Sequence, residues 1–266
     1  MHLNAYQVAA IRIVSSGMIL LPYAVKAFRN VPANKIFTIF LSGVLGSLLP
    51  AFLFCIAEEG IDSALAGTLN SLTPIFVIIA GALIYKTKTT TQKILGILVA
   101  LSGSILLLIS KGRLPGDQNI LFAGFVVVAT VCYGINVNMV HDRLKDVGSI
   151  HIAAIALTLN AIPALLVLIL TGYFKQDLSS GGILISTGAA TILGVMGTAL
   201  ASILFYKLIK RAGSVFSSTV TYGIPVVANI IGLMVGEDVG WKQWLCLLVL
   251  LLGVYIANRK QGEGAD

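Results

Sequence analysis

Charge is scarce in this 266-residue chain: Asp, Glu, Lys and Arg together make up 11% of it, too little to clothe a soluble globular fold. Cysteine is scarcer, with Cys55, Cys132 and Cys246 each alone in an apolar run. That spacing supports neither a disulfide framework nor a thiolate metal site, so they read as small buried hydrophobes. Histidine occurs only at 2, 141 and 151, no His-Glu-x2-His pair is present, and no Gly-x4-Gly-Lys-Ser/Thr phosphate loop is found. The residues of a metalloprotease or an ATP-driven motor are therefore missing. The apolar spans also lack paired carboxylates or a Ser/His set, which argues against an intramembrane enzyme. No metal and no cofactor is implied.

What the chain has instead is apolar length: 57% of its residues are hydrophobic and its mean hydropathy is +0.96. A helix crossing a bilayer needs about 20 such residues, because its backbone amides must be satisfied within the segment. Nine spans meet this need, at 7–25, 36–57, 64–85, 93–110, 119–140, 150–172, 183–206, 214–236 and 241–258. The first does not resemble a cleaved signal, since no Lys or Arg precedes it and Arg12 interrupts it.

The formal net charge of +7 is a matter of sidedness. Thirteen basic residues fall on one side: Lys26, Arg29, Lys35, Lys86, Lys88, Lys93, Arg143, Lys145, Lys207, Lys210, Arg211, Arg259 and Lys260. Only Lys111, Arg113, Lys175 and Lys242 fall on the other, among Glu58, Glu59, Asp62, Asp117, Asp177, Glu237 and Asp238. The positive-inside rule places the thirteen, and the C-terminus, in the cytoplasm of a cell-membrane protein. No nucleic-acid partner is needed to explain the excess.

Sliding the chain by 151 positions superposes Gly43, Val44 and Gly46 on Gly194, Val195 and Gly197, and Leu53-Phe54 on Leu204-Phe205. The same register lays Ser63, Thr68, Pro74, Ile79 and Gly81 on Ser214, Thr219, Pro225, Ile230 and Gly232, and Gly103 reaches Gly253 after one residue is dropped. Glu59 then meets Lys210, and Lys86 meets Glu237. Five hydrophobic spans separate equivalent points, and an odd number of crossings inverts the second copy, which accounts for the change of sign. The fold class expected is an all-α polytopic transmembrane helical bundle with two inverted-topology repeats. The first repeat is expected over 1–110, the second over 111–258, and a polar tail over 259–266. Ile152-Ala153-Ala154-Ile155 echoes Val8-Ala9-Ala10-Ile11, yet nothing before residue 7 matches the 119–140 span. The symmetry points to a ten-helix parent without its first helix; the alternative is a nine-helix protein whose short uncharged leader crosses unaided.

Residues 60–74 (Gly-Ile-Asp-Ser-Ala-Leu-Ala-Gly-Thr-Leu-Asn-Ser-Leu-Thr-Pro), their partner at 213–226, the Gly236-Glu237 pair and Gly-Val-Tyr-Ile at 253–256 resemble EamA-type members of the drug/metabolite transporter superfamily. Arg12 sits where that family often has an arginine. Tyr85-Lys86 and Glu58-Glu59 depart from the family pattern. The resemblance implies a basket of ten helices around a central cavity and transport, often export, of amino acids or other small metabolites. The implied partners are a small-molecule substrate and the lipid bilayer, with a homodimer left open. A membrane receptor that binds the same solute without moving it, or a truncated inactive transporter, is the competing reading.

Candidate binding residues follow from helix chemistry. Pro74 and Pro225, near the middle of their spans, each remove a backbone donor and free a carbonyl. Asn70, Ser71 and Thr73 lie ahead of the first proline, Thr221 and Tyr222 ahead of the second, and Asn229 a turn beyond. Asn136, with Tyr133 one turn away, completes the set. Asparagine is costly in lipid and favours a cavity. Ser and Thr can instead bond back to their own helix, and Tyr133 can simply pack. Arg12 snorkels outward or pairs with Glu58 or Glu59. The sidedness is testable in a cysteine-free background. Lys88→Cys should resist a membrane-impermeant maleimide in intact cells and react after permeabilisation, whereas Asp177→Cys should react at once.

Overall fold

The computed structural model describes residues 3–110, 120–234 and 240–259, and the side chains of residues 120, 228, 229 and 231–233 also fall outside the description. The expectations for the Asn229 side chain, Gly236-Glu237, Asp238, Lys111, Arg113, Asp117 and the tail beyond Arg259 thus lie outside the described residues. Among the described residues the chain forms nine helical rods and no strand. They are α1 (Ala5–Asn30), α2 (Ala33–Ala57), α3 (Ser63–Ile84), α4 (Thr91–Ser110), α5 (Ile120–Arg143), α6 (Ser149–Leu170), α7 (Gly181–Ala212), α8 (Ser214–Ser218 continuing to Gly223–Met234) and α9 (Trp241–Asn258). Eight are long and apolar enough to cross a membrane, and α8 supplies a shorter apolar stretch, Ser214–Val227. Leu83, Phe37 and Ile185 are 72–78% exposed, an outer surface suited to acyl chains and not to water. This is a multi-pass membrane protein.

The ends of the rods have local causes. Asn4 caps α1 by accepting from the Gln7 amide at 2.8 Å, and the Gln7 side chain returns to the Asn4 amide at 3.2 Å. α1 runs five residues beyond the apolar span because nothing stops it before Pro32, which holds Val31 extended at φ −101°, ψ 130°. α7 likewise outlasts its span, carrying Lys207, Lys210 and Arg211 past the apolar stretch. It stops at Gly213, whose φ of +86° only glycine adopts without strain.

Inside the bundle, small residues let helices from the two repeats touch backbone to backbone. α1 lies along α6: Ala9, Ala10 and the whole Ile152–Ile155 motif are buried. Thr158 donates to the Gly17 carbonyl at 3.2 Å, and Gln7 to that of Thr171 at 3.2 Å. α4 and α9 cross just as closely. A Cβ on Gly103 would stand 2.5 Å from the Leu250 nitrogen, and one on Gly253 would stand 2.2 Å from that of Ala100. These glycines are equivalent in the repeat alignment, so the crossing looks alike from either helix.

Basic residues assigned to one side by sequence meet at one end of the bundle. Lys35 donates to the Arg143 carbonyl at 2.7 Å and pairs with Asp146 at 3.3 Å, while Lys210 donates to the Val147 carbonyl. The Asp146 carboxyl is held below the usual carboxylate range, first by its own backbone amide and then by Lys35. Arg143 lies 5.8 Å over the Tyr85 ring.

The tight crossing yields a stability test. Gly103→Leu should lower the apparent melting temperature of the detergent-purified protein, at an overpacking cost of about 1–3 kcal/mol. Gly188→Ala should leave it unchanged, because a Cβ there meets nothing within 4 Å.

Candidate functional site

Four rods depart from regular α-helix, and they do so in matched pairs. α2 widens to a π-helical turn at Val44–Leu48, and α7 does so at Leu193–Leu200, which contains the positions 151 residues later. α3 breaks between Asn70 and Thr73, and α8 tightens to a 3-10 turn over Thr219–Tyr222. Pro74 stands at the start of the second segment of α3, where its missing N–H costs little. The interruption therefore sits one turn ahead of each proline, at the height where the polar residues cluster.

A cavity of about 470 Å³ opens beside these breaks. α3 contributes Asn70 and Thr73, α5 Tyr133, α7 Ser202, Phe205 and apolar neighbours, and α8 Val220, Thr221 and Ile224. Asn70 and Thr221 are equivalent in the repeat, as are Thr73 and Ile224, so both halves present the same turn to one space. Thr73 donates to the Asn70 side-chain oxygen at 3.2 Å, which leaves the Asn70 amide nitrogen with both donors unspent among the described residues. Thr221 bonds back to the Ser218 carbonyl at 2.8 Å. No lining residue is charged.

Other candidates from the sequence stand elsewhere. Ser71 and Tyr222, equivalent to each other, both turn to α4: Ser71 lies 3.0 Å from the Ser104 hydroxyl, and Tyr222 donates to the Ile97 carbonyl at 3.1 Å. Asn136 accepts from Ser42 at 2.7 Å, with the Tyr206 hydroxyl 3.4 Å from the same serine. Pro74 and Pro225 are buried outside the cavity lining. The structure thus brings Asn70, Thr73, Tyr133 and Thr221 together, and ties Ser71, Asn136 and Tyr222 into helix contacts. Sequence reasoning passed over Ser202 and Phe205; the match of Leu204-Phe205 to Leu53-Phe54 was the available signal, and Phe54 lies 6.3 Å from Tyr133.

Arg12 has no ion pair with Glu58 or Glu59. Its Nε is buried without a hydrogen-bond partner, and its guanidinium lies beside the Cys55 thiol and acts electrostatically on Tyr133. Among the described residues no group of three His, Cys, Asp or Glu side chains comes together that could hold a metal ion.

A bundle of apolar helices from two related halves, broken in register around a neutral cavity, belongs to the class of membrane transporters. Residues 1–109 and 120–259 both match the EamA-like transporter family, and the chain belongs to that family. It is 26% identical over 260 residues to an uncharacterized transporter of Archaeoglobus fulgidus, covering 91% of this chain and 90% of that protein. It is 22% identical to the uncharacterized inner membrane transporter YedA of Escherichia coli K12, over 94% of this chain and 80% of that one. A solved crystal structure shares the fold with a TM-score of 0.72 at 16% identity, covering 96% of this chain and 87% of the other.

The helix contact made by Asn136 is open to test. Ser42→Ala takes the donor from buried Asn136 and should cost about 1–3 kcal/mol, seen as a lower melting temperature. Tyr206→Phe, which leaves the 2.7 Å Ser42–Asn136 bond in place and removes the 3.4 Å contact to Ser42, should cost less.

Proposed function

We propose that this protein moves a small polar or amphipathic metabolite, such as an amino acid, across the cytoplasmic membrane by alternating access, with its C-terminus in the cytoplasm. Two inverted repeats, over 1–110 and 111–258, rock against each other around the cavity, and the polar tail at 259–266 takes no part. The observation that carries the reading is the pairing of Asn70 with Thr221 on one cavity wall. A transporter of inverted repeats needs a site that both halves share near its midplane, formed where helices are interrupted. Membership of the EamA-like family and relatives described as transporters point the same way. Asn70 offers free donors beside the break ahead of Pro74, so a solute meets directed polar groups on an apolar floor. Tyr133 and Phe205 supply that floor. Ser71, Tyr222 and Asn136 act in this reading as supports of the moving helices.

Purified protein in liposomes loaded with a mixed pool of amino acids and small metabolites should give saturable counterflow of at least one labelled solute. Asn70→Leu should reduce that flux by about tenfold or more while leaving the folded yield intact. Binding without counterflow would instead favour a receptor. Unchanged flux in both Asn70→Leu and Thr221→Val would remove the cavity assignment.

A further inference from the structure

The cavity carries no charge of its own, yet a charge lies within electrostatic reach of its lining. Arg12 is the eighth residue of α1, about 10 Å along the helix from its first residue, and so within the bundle. Its Cα and carbonyl oxygen lie against Gly194 in the π-helical turn of α7, at distances of 3.0 and 2.5 Å from where a Cβ would stand. The guanidinium lies beside Cys55 of α2, and the ring of the adjacent Phe54 stands 6.3 Å from that of Tyr133 in α5. Tyr133 lines the cavity and lies within electrostatic reach of Arg12.

A guanidinium in a membrane bundle normally finds a carboxylate, and this one does not. Glu58 and Glu59 sit exposed at the end of α2, and the one ion pair within 4 Å among the described residues is Lys35–Asp146, among the basic residues clustered at the bundle's end. The Arg12 Nε is buried and unpartnered. Surrounded by low dielectric, such a charge acts over several ångströms with little screening, so the neutral cavity beside it becomes favourable for an anion and unfavourable for a cation.

We infer that the cavity selects solutes bearing a carboxylate or a comparable anionic group, and that Arg12 sets this preference. The inference rests on the reading of the cavity as the solute site. Guanidinium donors hold a carboxylate through forked, charge-assisted hydrogen bonds that a neutral amide does not match.

The test is scintillation-proximity binding to the detergent-purified full chain, using labelled L-alanine, L-phenylalanine, L-glutamate and benzoate, each against its carboxamide counterpart. At least one carboxylate should bind about tenfold or more tightly than its amide. Arg12→Gln should erase the preference, Arg12→Lys should keep part of it, and Lys175→Gln should leave it unchanged as a control for bulk charge. Equal binding of acid and amide, a preference that survives Arg12→Gln, or no carboxylate binding at all would each overturn the inference. Counterflow of the same probes reports separately on transport. Selective binding without flux would refute the transport reading and leave this one standing, while flux without the preference would do the reverse.

Discussion

A backbone that leaves α-helical geometry inside a bilayer must satisfy the groups it releases, because lipid offers them nothing. The rest of this structure depends on how that constraint is met. The chain departs from regular helix at Val44–Leu48, ahead of Thr73, at Leu193–Leu200 and at Thr219–Tyr222. The third of these turns its Gly194, Thr198 and Ala199 inward and leaves Leu193, Met196 and Leu200 on the outer surface. Each interruption has its repeat equivalent in the other half. An isolated break would be a defect; breaks paired in this way build a common space whose walls come from both halves.

Two sets of polar side chains accompany those breaks. One set joins helix to helix: Ser71 to Ser104, Tyr222 to the Ile97 carbonyl, Asn138 to the Val77 carbonyl at 2.8 Å, and Asn136 to Ser42. Hydrogen bonds of this kind are worth about 1 kcal/mol each in a membrane bundle, and losing one partner costs more than the bond contributes. Asn70 belongs to the second set, since its amide donors are unspent beside the cavity. The glycine crossings complete the division of labour. α4 and α9 meet through Gly103 and Gly253, and α1 meets α6 near Gly17, so that helices from opposite repeats form two tight seams. The cavity is lined instead by α3, α5, α7 and α8.

Much of the fold was legible because lipid makes sequence patterns coarse and strong. Nine apolar runs became nine rods among the described residues, and the interruptions of α3 and α8 lie just ahead of Pro74 and Pro225. Helix ends were less legible: α1 and α7 run on through charged residues because a stop depends on Pro32 and Gly213 and not on polarity. Least legible was direction around a helix. Asn70 and Ser71 are adjacent in sequence but about 100° apart around the axis, so one lines the cavity and the other binds Ser104. The same holds for Thr221 and Tyr222. Proximity to a proline marks a turn and not a facing, which is why it reached Asn70 and Thr221 together with their neighbours and could not choose between them. Arg12 was visible as an intramembrane charge, but its place beside Cys55 and Gly194 needed two other helices to be positioned first.

The central claim is that one space, walled by both halves, opens in turn to the two faces of the membrane. Cysteine accessibility measures this without a known substrate. With Cys55, Cys132 and Cys246 replaced, Thr221→Cys would be challenged with a small impermeant thiol reagent in right-side-out and inside-out vesicles. The account predicts reaction in both preparations, at rates that differ with the resting population of each state. Reaction from one face alone, under every condition of loading, would contradict it.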